Sequence, residues 1–137
     1  RPRRGGPAVM SPAEGSTPHN GEVGADREGR VERRLGDLVE FVREAAYLTS
    51  KGREAYLADS MDGALLRNAG ERILIKVATV AEKLPPAFKD RYPDVDWQGI
   101  NRMRNLVAHH YDRVSHDLVW AALSVRVPVL GARLSAN

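Results

Sequence analysis

"MDGALLRNAGERILIKVATVAEKLPP", residues 61–86, is the stretch whose reading decides the fold. Its apolar residues fall at Met61, Leu65, Ala69, Ile73, Val77, Val80, Ala81 and Leu84. Steps of three and four are the period of an amphipathic helix, not the alternation of a strand. Directly ahead, Asp59 and Ser60 each offer a side-chain oxygen that can cap a helix. Pro85 and Pro86 end it, because proline lacks an N–H and disfavours a helical residue before it.

The same period extends outward. Val31, Leu35, Leu38, Val39, Val42, Ala45 and Ala46 mark an earlier helix that "TSKG", residues 49–52, stops. "REAYLAD", residues 53–59, reads as a short helical piece. After a turn-rich link, "AFKDRYPD", Asp96 reads as the N-cap of a helix with Trp97, Ile100, Met103 and Val107 on its inner face. Ser115 reads as the cap of a last helix through Leu118, Val119, Ala122 and Val125, which Pro128 kinks or ends. No strand alternation and no repeat appears. The expectation is an all-α, up-and-down bundle of about four main helices with short helical pieces. So small a bundle leaves apolar surface on its long helices uncovered, so a homodimer is expected.

At 137 residues the chain suits one domain. Residues 1–24 hold four of the eight prolines and five of the twelve glycines, without apolar period, so residues 1–26 read as a disordered tail before a helical domain at 27–137. The absence of cysteine excludes disulfides, thiol catalysis and cysteine zinc sites. "ILIKVATVA", the longest strongly apolar run, is short and carries Lys76, so no membrane partner is expected. "RPRRGG" is followed by no apolar signal region, which points to the cytoplasm. The net charge is +3, and residues 97–137 carry that surplus as five arginines against two aspartates, which admits a polyanion partner.

The chemistry gathers in "RNLVAHHY", residues 104–111. Histidine titrates near neutrality and suits removal of a proton from a ribose 2′-hydroxyl. Arginine holds a phosphate in a fork and stabilises the charge that builds on it, and an asparagine amide can position either group. Each has a plainer role too: Arg104 in a surface ion pair, His109 or His110 at a helix end, Tyr111 as a core ring with a polar tip. On a straight helix Arg104 and Tyr111 share a face, while Arg104 and His109 lie roughly 140° apart. That gap closes if the helix loosens near His109 or if two copies meet. A metal set from His109, His110, Asp112 and His116 lacks ligand spacing. "DGALLRNAG" is no phosphate loop, since it lacks the lysine.

"RNLVAHHY" resembles the R-x(4)-H-x-Y motif of HepT-like toxins, the HEPN-superfamily ribonucleases of bacterial toxin–antitoxin pairs. Around it, "REAYLAD", "LLRN", "EKLPPAFKDRYPDVDW" and "HDLVW" stand in the order seen in that family, over roughly residues 30–134. The resemblance implies a metal-independent endoribonuclease that needs no cofactor and cuts transfer or messenger RNA. Arg104 and His109 would be the catalytic pair and Asn105 the supporting residue. Tyr111 would accept AMP from a minimal nucleotidyltransferase antitoxin, and His110 takes the variable position. It also implies a dimer whose two motifs face one cleft. "KVATVAEKLP", residues 76–85, departs from the family in lacking the glycine and acid of its common "IGEA". The competing expectations are a catalytically silent helical module that binds such a transferase or a nucleotide, and a plain dimeric scaffold.

Overall fold

A computed structural model of the protein describes residues 20–108 and 112–135. Among these residues there are helices and no strands. The chain divides into two units, residues 1–32 and 33–137, and the core belongs to the second. Helix α1 spans Asn20–Thr49, starting ahead of the apolar period that begins at Val31. Ion pairing one turn apart supports that extension, with Arg30 Nη1 2.6 Å from Asp26 Oδ2, and an apolar period cannot register it. Gly52 turns the chain at φ 97°, a conformation that a side chain resists, and α2, Arg53–Leu57, follows.

Helix α3, Met61–Lys83, is the axis of the bundle. Ser60 caps it, its hydroxyl oxygen accepting from Gly63 N–H at 3.0 Å. Leu84 is extended (φ −67°, ψ 137°), as a residue before proline tends to be, and Pro86 opens the short α4, Pro86–Lys89. Leu74, Val77, Ala78 and Ala81 of α3 are wholly buried. Around them pack Leu38, Ala45 and Leu48 of α1, Tyr56 of α2, and Ile100 and Met103 of α5, Trp97–Val107.

The first half of α3 turns a different face inward from the one its apolar residues predict. Met61 and Leu65 are 78% and 62% exposed, and the buried positions are Gly63 and Gly70. A methyl on Gly70 would come within 2.7 Å of Leu123 Cδ1 and 3.0 Å of the Tyr56 hydroxyl, and one on Gly63 would strike Ala58 O. Glycine lets the neighbours approach here, and a hydrophobic period gives glycine no weight. Arg67 of "LLRN" completes the join, donating through Nη1 to Tyr56 O and Ala58 O at the end of α2.

The last helix is continuous but not uniform: α6, Arg113–Ala121, a π-helical turn, Ala122–Arg126, and α7, Val127–Ser135. Asp112, not Ser115, caps it, accepting from Val114 N–H at 2.9 Å, while Ser115 is buried. Pro128 does not end the helix. The wider turn just before it, with Val127 N–H reaching Ala122 O, relieves the clash a proline ring makes with the preceding turn. Val119, Ala122, Leu123, Val127 and Leu130 face the core, whereas the expected Leu118 and Val125 are 48% and 58% exposed. Residues 113–135 are long and apolar enough to pass for a membrane span by composition. Their polar side chains instead tie them to the bundle, through Asp117 to Arg53 (2.7 Å), Arg126 to Gly99 O (3.0 Å) and Arg133 to Asp94 (2.7 and 3.1 Å).

The link before α5 is a strap. Phe88 and Tyr92 are buried with ring centres 5.2 Å apart, Trp97 Nε1 donates to Tyr92 O, and the Arg133 guanidinium lies 4.8 Å over the Tyr92 ring. These contacts fix where α5 begins, and so where its last turn delivers Arg104.

Candidate functional site

Asp96 starts α5 as its sequence predicts, Oδ1 accepting from Gly99 N–H at 2.9 Å. Ile100 and Met103 anchor the helix in the core. One residue past buried Met103, about 100° around the wheel, Arg104 emerges at the side of α5 that faces α3. Its guanidinium is gripped by a single nitrogen. Nη2 donates to Thr79 Oγ1 at 2.7 Å and pairs with Glu82 Oε1 at 2.9 Å. No described residue takes a bond from Nε or Nη1. Both edges of the fork, Nε with Nη2 and Nη1 with Nη2, share the occupied nitrogen, so a phosphate gripped by two oxygens has to take the place of Glu82 on Nη2.

Thr79 and Glu82 were not found from the sequence. They lie three residues apart on α3, one turn of helix, inside the segment that departs from the family pattern. Only the packing of α5 on α3 brings them to Arg104, 25 and 22 residues away in sequence. The pair is half-exposed, with side chains 41% and 56% accessible, so water weakens it and a phosphate can replace the carboxylate.

Asn105 follows Arg104 and is exposed, with no described residue bonded to its amide. Regular α5 ends at Val107 with Ala108 as its C-cap, and Asp112 already caps the next helix. The 140° to His109 and the face shared with Tyr111, expected of a straight helix, concern positions past Ala108. His109, His110 and Tyr111 themselves lie outside the described residues. What the described part supplies is an arginine held by Thr79 and by a displaceable, half-exposed carboxylate at the end of a helix with one buried face. That arrangement can hold a phosphate and stabilise added negative charge on it.

Residues 32–136 match the family model described as "Ribonuclease HepT-like". The chain belongs to the HepT-like ribonuclease family. Among curated relatives, "Putative RNase MJ0127" of Methanocaldococcus jannaschii is 25% identical over 94 residues, covering 69% of each chain. "Probable ribonuclease HepT" of Thermococcus cleftensis is 26% identical over 95 residues, 69% of this chain and 86% of that one. "Putative RNase TTE0752" of Caldanaerobacter subterraneus subsp. tengcongensis is 24% identical over 93 residues, 68% and 83% of the two chains. No solved structure matches the chain significantly. This HepT-like protein is thus a ribonuclease with the helical HEPN architecture.

Proposed function

We propose that the protein is an endoribonuclease toxin that cuts RNA without a metal ion and is silenced by a nucleotidyltransferase partner. The observation that carries this reading is the Arg104 guanidinium, held among the described residues through Nη2 alone and by a half-exposed carboxylate that a phosphate can replace, five residues ahead of His109. His109 takes the proton from a ribose 2′-hydroxyl, whose oxygen bonds to phosphorus as the bond to the 5′-oxygen breaks and that oxygen takes up a proton. Arg104 carries the charge that builds on the phosphate, and Asn105 supports it. The products are a cyclic phosphate and a free 5′-hydroxyl. A transfer RNA or messenger RNA is the substrate class, and the cytoplasm the place of action.

Two copies are proposed to form the working enzyme. Val114, Leu118, Val125 and Val129 are exposed by 63%, 48%, 58% and 63% along the helix that follows the motif. That stripe is apolar surface for a second chain to cover, and its first residue lies three positions past Tyr111.

Expression of Arg104→Ala or His109→Ala should abolish RNA cleavage and toxicity with the helical circular-dichroism signal unchanged, and EDTA should leave wild-type cleavage intact. Loss of cleavage in EDTA with rescue by a divalent ion would overturn the metal-free mechanism. A chain that folds, binds a transferase and never cuts RNA would be the silent module instead. For the silencing step, AMP on Tyr111 adds bulk and an anionic phosphate to the motif, where it competes with substrate phosphate. Tyr111→Phe should keep RNA cleavage but escape inactivation by the partner and ATP, with AMP found by mass spectrometry on the wild-type chain alone. Equal neutralisation of both chains without modification would assign control to binding.

A further inference from the structure

Arg104 is held against a face of α3 that continues away from it. Arg72, Lys76, Thr79 and Lys83 fall within about 40° of one line along that helix, and Thr79 is the residue that grips Arg104. Across this line from α5, α3 and α1 leave an open cleft of about 590 Å³. Leu48, Leu66 and Ile73 make its floor, and Tyr47 stands 68% exposed at its edge.

The charges around the cleft do not balance. Arg43, Lys51, Arg72 and Lys76 face only Glu40 and Glu44. Both carboxylates are already engaged, Glu44 with Lys76 at 2.7 Å and Glu40 with Arg43 at 3.5 Å. Arg72 has no partner among the described residues. Lys51 meets no acid either: it donates to the Tyr47 hydroxyl at 3.2 Å and lies 4.5 Å over that ring. Lys76 sits in the same way over Phe41, at 4.6 Å. Unspent cations, Arg72 and Lys51, beside the exposed ring of Tyr47 over an apolar floor are what a single nucleic-acid strand uses, phosphates on the cations and a base on the ring.

We propose that this cleft between α1 and α3 binds the single-stranded RNA flanking the cut site, with a base on Tyr47 and phosphates on Arg72 and Lys51. The strand would cross the Arg72–Lys83 line to reach Arg104. This deepens the ribonuclease reading and rests on it. A second copy is the less suited occupant, because the uncharged stripe on α6 and α7 offers apolar contact without two unpaired cations to desolvate.

Arg72→Gln and Tyr47→Ala test the idea on the full chain, since both side chains are exposed and neither touches Arg104. Cleavage of bulk RNA should show KM raised about tenfold in each variant with kcat unchanged. Fluorescence anisotropy of a labelled single-stranded RNA on the His109→Ala chain should show the same loss of affinity. The slope of log Kd against log salt should fall by about 0.7 for Arg72→Gln and stay put for Tyr47→Ala. If wild type cuts RNA and both variants match it in KM and Kd, the cleft does not bind RNA and the ribonuclease reading stands. Should the variants instead split a dimer with RNA affinity unchanged, the cleft belongs to a second copy. If wild type neither binds nor cuts RNA, the ribonuclease reading fails and this site falls with it.

Discussion

In the proposed reaction Arg104 binds phosphate, which has to displace the carboxylate of Glu82 beside it. The pair with Glu82 is half-exposed, and such pairs contribute about 0–1 kcal/mol. Glu82 therefore costs the enzyme little to release, yet its charge opposes an incoming phosphate. Glu82→Gln keeps an oxygen for Nη2 and removes that opposition. Its KM for RNA should fall by up to about fivefold at low salt and converge with wild type at high salt. A KM that rises instead would mean that Glu82 assists substrate binding. Caps show how far single residues can be read. Asp96 and Ser60 act where the sequence places them, because a cap needs only its own first turn. Asp112 and Ser115 are both good caps three residues apart, and the choice fell to Asp112 because Ser115 is taken into the core.

Among the elements, the turn between α1 and α2 depends on one backbone angle. Gly52 has φ 97° and open space where a Cβ would stand, so an alanine there meets backbone strain alone. Gly52→Ala should cost about 1–3 kcal/mol in urea denaturation, since φ 97° with ψ 151° is a region that glycine alone readily adopts. A neutral result would show that the turn readily adopts another conformation. The α3 axis was legible as a helix, with its start and its proline stop. Ile73, Val77, Val80 and Ala81 of its second half are buried as the period predicts, but the face of its first half was not legible, because Gly63 and Gly70 are buried there while Met61 and Leu65 are exposed. On the last helix the difficulty is reversed: Leu118 and Val125 flank the buried row of Val119, Ala122 and Leu123, so apolar residues run too far round to single out a face.

For the whole molecule, the exposed row of Val114, Leu118, Val125 and Val129 is the feature that a lone chain leaves unexplained. Leu118→Glu with Val125→Glu should turn a dimer into a monomer by light scattering and reduce RNA cleavage in step, with helicity retained because neither side chain is in the core. A monomeric wild type that cuts RNA at low concentration would show one copy to be sufficient.

The sequence by itself determined the helical class, the places where most helices start and stop, and the family. These depend on local rules: an apolar period, a capping oxygen within one turn, a proline's missing N–H, a motif in contiguous residues. The tertiary structure alone decided what Arg104 meets. Thr79 and Glu82 carry no local mark of a site, and they reach the guanidinium only because buried Met103 and Ile100 seat α5 against α3. The same packing leaves Tyr47 and Arg72 on an open cleft while hiding Tyr56 and Leu74. Periodicity records that a helix has an apolar side. Which neighbour covers that side, and which polar groups are brought together at its margin, depends on contacts between residues far apart in the chain.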